Sequence, residues 1–174
     1  MRIYTTVNPY HFTILEKNKG SSMNYVKKTL FFIILFLSLL NLHANDQEKI
    51  PVLKQLYKAF PATGGLNDQS IVEQKKVILE KYFDKQLSSL ITRDNLCKQR
   101  TQEICKLDFD PIYASQDPEI NNINYIVNKG YVDVYLFYVG IKKPIKVIYS
   151  FNKENNKINN ILYQDGTSLQ NILK

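Results

Sequence analysis

From residue 122 onward, apolar and polar positions alternate or run apolar in short stretches bounded by turn residues. Segments 122–128, 131–139, 144–151 and 157–164 each read as a strand. Asn128-Lys129-Gly130, residues 140–143 and residues 152–156 separate them, and connections this short predict an antiparallel meander. Upstream, the period is that of a helix. Val52, Leu53, Leu56, Tyr57 and Phe60 share one face of a helix predicted over 51–60, with Pro51 placed early, where its missing N–H costs little. Residues 61–65, with Pro61, Gly64 and Gly65, break it. A second helix is predicted over 68–82, capped by Asp68 or Ser70 and with Glu73 in its first turn. The stripe of Val72, Leu79, Phe83, Leu87, Leu90 and Ile91 continues through a bend at Asp84 into a third helix ending near Arg100. Residues 167–173 form a small terminal helix or tail. Helices followed by a meander make an α+β fold, with N-terminal helices packed on a curved four-stranded antiparallel sheet.

The pattern of residues 23–44 is different. Lys27 and Lys28 precede an apolar run over 30–40, interrupted only by Ser38, and Leu42 and Ala44 stand three and one residues before a polar stretch. That is the three-part layout of a secretory signal peptide, and the run is short for a bilayer span. Met23 stands where such a segment begins. Lys19-Gly20, encodable as a ribosome-binding sequence, lies two codons ahead of Met23. Residues 1–22 therefore read as upstream sequence translated ahead of the true start, 23–44 as the signal peptide, 45–69 as an N-terminal helix and loop, and 70–174 as one α+β domain. No Cys follows the apolar run, which argues against a lipid anchor.

Charge changes the picture once this leader is set aside. The whole chain carries a formal +7, but residues 45–174 hold 18 Lys and Arg against 15 Asp and Glu. Only Arg93 and Arg100 remain in that part and its lysines are scattered, so a nucleic-acid partner is not expected. Both histidines, His11 and His43, precede the predicted cleavage point. The remaining chain has no Ser-His-Asp triad, no Cys-His pair and no His-ligated zinc, and no cofactor is expected. Cys97 and Cys105 form an even pair in an exported chain and read as one disulfide; the rival, a metal pair, is a poor site with two Cys and no His. Closing so short a loop is worth about 2.5 kcal/mol by chain entropy.

Two segments carry a resemblance. The run from Cys97 through Cys105-Lys-Leu-Asp-Phe-Asp-Pro-Ile-Tyr-Ala-Ser-Gln-Asp-Pro118, and the ending Lys157-Ile-Asn-Asn-Ile-Leu-Tyr-Gln-Asp-Gly-Thr-Ser-Leu169, resemble a bacterial exported family, the domain-of-unknown-function family numbered 3828. The likeness spans roughly residues 70–173. It implies a cystatin-like cone, similar to ketosteroid isomerase and nuclear transport factor two, and no assigned chemistry.

Three constellations are candidates for chemistry. Asp108, Asp110, Asp117 and Glu119 form an acidic loop around Pro111. Asp108 to Glu119 has the length of an EF-hand loop, but Ile112 and Tyr113 occupy positions that need an oxygen ligand and Gly, so Asp108 and Asp110 are expected instead to cap backbone N–H groups around Pro111. Tyr131, Asp133, Tyr135 and Phe137 share one strand face, opposite Val132, Val134, Leu136 and Tyr138. If that face lines a cone, Asp133 beside tyrosines such as Tyr163 resembles the base and oxyanion donors of an isomerase. If it faces outward, a Tyr-rich face suits docking. The leading expectation is an exported binding or accessory domain of the envelope with a protein partner, of which an immunity protein is one version. A small-molecule-binding or isomerase-like cone using Asp133 is the alternative.

Overall fold

The computed structural model describes residues 48–62 and 69–174. Expectations for the extension 1–22, the signal peptide 23–44 and the Asp68 cap lie outside the described residues.

The sheet is built from β1 (Ile120–Asn128), β2 (Tyr131–Tyr138), β3 (Ile145–Phe151) and β4 (Ile158–Leu162), in the order β1-β2-β3-β4. All neighbours are antiparallel, so the meander is as the turn lengths predict. Lys129 and Gly130 make the two-residue turn that closes the Asn128–Tyr131 pair, and Gly130 supplies a φ of +89° that a side chain resists.

The two edges of the sheet differ. At β4, Asp84 N donates to Ile158 O (2.9 Å) and Ile158 N donates to Tyr82 O (2.9 Å), while Leu162 forms an isolated bridge with Ser168. At β1, no described segment pairs with the free edge.

The helices are α1 (Lys49–Ala59), α2 (Lys76–Leu79), α3 (Lys85–Thr101) and α4 (Leu169–Leu173). α1 begins two residues before the predicted start and keeps Pro51 in its first turn. α3 starts at the bend predicted at Asp84, which also caps it: Asp84 Oδ1 accepts from Leu87 N at 2.8 Å, and Gln102 ends the helix in the left-handed region (φ 58°). Ser168 caps α4 in the same manner, by accepting from Asn171 N.

The helix predicted over 68–82 is corrected. It is a 3-10 turn (Ile71–Glu73) followed by the single turn of α2, separated by extended backbone at Gln74 (ψ 150°) and Lys75 (ψ 146°). The reason is the polar tetrad Glu73-Gln74-Lys75-Lys76, which leaves no apolar stripe to bury. Two short pieces instead bury Ile71 and Leu79 separately. Ser70 makes no cap bond; its hydroxyl donates to Asp110 Oδ2 at 2.9 Å, forty residues away.

One apolar cluster unites these elements. It takes Leu53 and Leu56 from α1 and Phe60 just after it, Leu87 and Ile91 from α3, Val132, Val134 and Leu136 from β2, Val147 and Tyr149 from β3, and Leu169 and Leu173 from α4. The face of β2 bearing Val132, Val134, Leu136 and Tyr138 is therefore the inner one. Cys97, near the end of α3, is disulfide-bonded to Cys105. Among the described residues, no helix is long and apolar enough to cross a membrane.

Candidate functional site

The acidic loop is organised by one of its carboxylates. Pro111 removes a backbone donor, and Asp110 folds the chain around it. Asp110 Oδ1 accepts from Ile112 N (3.0 Å), its carbonyl accepts from Tyr113 N (3.2 Å), and its amide donates to Ser115 O (2.9 Å). Pro111, Ile112 and Tyr113 are consequently buried, and Ala114 is held in the left-handed region at φ 54°.

A loop driven into a core brings carbonyls that must be paired. Here tyrosine hydroxyls pair them. Tyr163 donates to Pro111 O at 3.2 Å. Tyr57 donates to Ile112 O at 2.7 Å, and Tyr149 reaches the same oxygen at 3.2 Å. The Tyr57 and Tyr149 hydroxyls lie 2.7 Å apart. Tyr138 donates to Tyr113 O, and Tyr113 in turn donates to Phe60 O at 2.6 Å at the end of α1. The rings pack edge to face, with Tyr57 against Tyr113, Tyr125 and Tyr149 at 5.4, 6.2 and 6.3 Å, and Phe109 against Tyr163 at 5.5 Å.

Burial sets the electrostatics of this cluster. It pushes the Tyr57 and Tyr149 phenols well above their ordinary value, raises Tyr113 and Tyr163, and raises Tyr125 and Tyr138 to about 12. Burial also raises the Asp110 carboxyl, against hydrogen bonds from Ser70 and the Ile112 and Tyr113 amides that favour its ionised form. Of these groups, Tyr57, Tyr113, Tyr138, Tyr149 and Tyr163 meet carbonyl oxygens with their hydroxyls.

Asp108 and Asp117 behave differently from Asp110. Both are exposed where Asp110 is half-buried, and all three line a cleft of about 490 Å³ together with Ser70, Glu73 and Lys98. Lys98 Nζ pairs with Glu73 at 3.3 Å across its rim. The capping role expected of the loop thus falls to Asp110. Among the described residues, no group of three or more His, Cys, Asp or Glu is placed to hold a metal ion.

The second constellation divides. Tyr131, Asp133 and Tyr135 lie together on the outer face of β2, while Tyr163 belongs to the inner network. Register places Ile126 and Ile148 on either side of Asp133, and Leu162 beyond Ile148. Ile126, Tyr131 and Leu162 are 51%, 41% and 36% exposed, and Tyr135, Phe137 and Ile148 are half-buried. Asp133 is only 8% exposed among them. Its Oδ2 stands 3.6 Å from Lys146 Nζ, and its Oδ1 has no hydrogen-bond partner among the described residues.

The disulfide borders a third feature. Arg93, Arg100, Lys106, Asp94, Leu96 and Leu173 surround a cleft of about 770 Å³. Arg93 Nη2 donates to Leu173 O at 2.7 Å, which ties the end of α4 to α3. The seven-residue spacing of the two arginines places both on one helix face, a signal readable in sequence. The tyrosine network was not readable in the same way. Tyr57 reads as one more apolar position of α1, and nothing local says that its hydroxyl meets Ile112.

No family model, curated protein or solved structure matches the chain.

Proposed function

We propose that this chain is an exported, disulfide-stapled binding domain of the bacterial envelope that engages a protein partner through the outer face of its sheet. The observation that carries this reading is the division of its tyrosines. On the inner side, Tyr57, Tyr138, Tyr149 and Tyr163 meet carbonyls of the 107–118 loop. The outer face presents Ile126, Tyr131 and Leu162 around a single Asp133–Lys146 pair. A largely apolar, aromatic centre with few charges is the composition of an interface core. The signal-like pattern of 23–44 and the Cys97–Cys105 bridge both support an oxidising compartment outside the cytoplasm. The cystatin-like cone implied by the resemblance is part of the same proposal, as is an immunity role in which the partner is a toxin reaching the envelope.

The test is affinity capture of the tagged protein from its host's envelope, repeated with Tyr131→Ala and Tyr135→Ala. A stoichiometric protein partner lost in both variants is the expected result. Capture indifferent to both variants, or no partner from oxidised and folded protein, overturns the reading. The mass of the exported protein tests cleavage after Ala44 in the same sample.

The isomerase-like alternative has one observation in its favour, the buried and unpartnered Oδ1 of Asp133. Against it, Asp133 lies on the face opposite the core, with a lysine beside it. Retention of partner capture in Asp133→Asn, with unchanged stability, sets the alternative aside.

A further inference from the structure

β1 is the one strand whose edge the described residues leave open, and its sequence does nothing to discourage pairing. Natural edge strands are protected by charge, proline, brevity or a cover. β4 has its cover in Tyr82–Asp84 and Ser168. β1 is nine residues, Ile-Asn-Asn-Ile-Asn-Tyr-Ile-Val-Asn, without a charge or a proline. Its single irregularity lies between Ile120 and Asn122, which leaves 122–128 in regular register.

We infer that β1 is the interface of a two-fold dimer, in which a second copy of this chain adds its own β1 antiparallel to form one continuous sheet. Three features select a second copy over another partner. First, the two-residue turn makes Asn128–Tyr131 a hydrogen-bonded pair, so strand alternation aims the N–H and C=O groups of Ile123, Tyr125 and Val127 at the free edge. The Ile123 amide meets only the side chain of the preceding Asn122, at 2.9 Å.

Second, 122–128 is self-complementary about Tyr125. Antiparallel pairing there sets Tyr125 against Tyr125 and Ile123 against Val127 on the inner face, and Asn124 against Ile126 on the outer face. Every pair keeps its face, and the inner set is aromatic and β-branched, the pairs that stabilise sheets. The inner residues Ile123, Tyr125 and Val127 are only half-buried in the single chain, unlike their fully buried neighbours Val132, Val134 and Leu136 on β2. Third, with β4 closed, the described residues of each copy offer one edge. An isologous contact then stops at two copies instead of growing into a filament.

This dimer stands whether or not the outer face binds a partner, because it is read on the purified protein alone. The protein, expressed from its full gene and recovered oxidised, is examined by light scattering across a dilution series. The expected result is a dimer whose dissociation constant rises at least about tenfold in Ile126→Lys. Cysteines at 124 and 126 sharpen the register. In the paired strands Asn124 of one copy is opposite Ile126 of the other, so the double variant Asn124→Cys with Ile126→Cys is expected to form a covalent dimer, and each single variant is not. A monomer at every concentration overturns the inference. So does a dimer that Ile126→Lys leaves intact and the double variant fails to trap. If Ile126→Lys does not fold, trapping by the double variant alone decides.

Discussion

The same residue type does two different jobs on the two faces of this sheet. Inside, Tyr57, Tyr113, Tyr138, Tyr149 and Tyr163 are large apolar bodies whose hydroxyls meet carbonyls at the far end. Outside, Tyr131 and Tyr135 present their rings at the surface of β2 beside Ile126 and Phe137. The inner set exists because the loop over 107–118 is pushed into the core with its backbone polar groups intact. Each carbonyl left unpaired there costs about 1–3 kcal/mol, more than a typical hydrogen bond contributes net. Tyrosine suits that position because it fills the core and still delivers a donor. A high tyrosine count is therefore no index of an interface by itself; what matters is whether the hydroxyls already have acceptors.

The comparison is broken most directly by truncation. Tyr149→Ala removes a fully buried ring and one donor to Ile112 O, and is expected to cost about 3–5 kcal/mol in urea unfolding. Tyr131→Ala, on the outer face, is expected to change stability by less than about 0.5 kcal/mol. Equal effects would mean that the outer ring is packed as tightly as the inner one.

Much of this architecture is legible along the chain, for identifiable reasons. The four strands are readable because β2 and β3 must alternate faces, and the turns at Gly130 and Gly140 carry positive φ. Asp84 is readable as the start of α3 because a cap needs only its own next three residues. What is not legible is non-local. The helix over 68–82 fails because Ser70 is drawn to Asp110 and four polar residues offer no stripe. Tyr163 separates from Tyr131 and Tyr135 because strand parity at β4 sends it inward, which depends on a register no short window contains. Asp108 and Asp110 look alike in sequence, yet one is exposed and the other half-buried, its carboxylate held by Ser70 and the Ile112 amide.

Deleting hydroxyls alone sharpens the contrast at smaller scale. Tyr57→Phe keeps the ring and removes the group that donates to Ile112 O and meets the Tyr149 hydroxyl, an expected loss of about 1–3 kcal/mol. Tyr135→Phe is expected to be neutral. Alkali gives the same contrast without mutation. The Tyr125 and Tyr138 phenols titrate near 12 in the folded chain against 10.0 when unfolded. A raised folded value means that the native state holds its proton longer, so this contribution is complete below pH 10 and is lost as pH rises toward 12. Urea midpoints are expected to fall across that window, with tyrosinate absorbance appearing together with unfolding and not ahead of it for the inner set.

A pH-dependent effect lies at the carboxylate that turns the loop. Burial raises Asp110 in the folded state, so its sign is opposite to that of a salt-bridged aspartate. Its contribution is fully present below the unfolded value of 3.8 and diminishes as pH rises through the folded one, because the native site must then hold a charge among tyrosine rings. Asn fits the same hydrogen bonds: its oxygen accepts from Ile112 N, and its amide donates to the Ser70 hydroxyl. Asp110→Asn is therefore expected to leave stability at neutral pH within about 1 kcal/mol of the parent, while Asp110→Ala, which strands Ser70 and the Ile112 amide, costs about 1–3 kcal/mol. Between the acid value and neutrality, the Asn variant is expected to lose less stability on raising the pH than the parent does. A parent that instead gains stability through this range by an amount the Asn variant lacks would place a favourable charge partner at Asp110. The loop would then be held by an ion pair, and the tyrosine hydroxyls would be secondary.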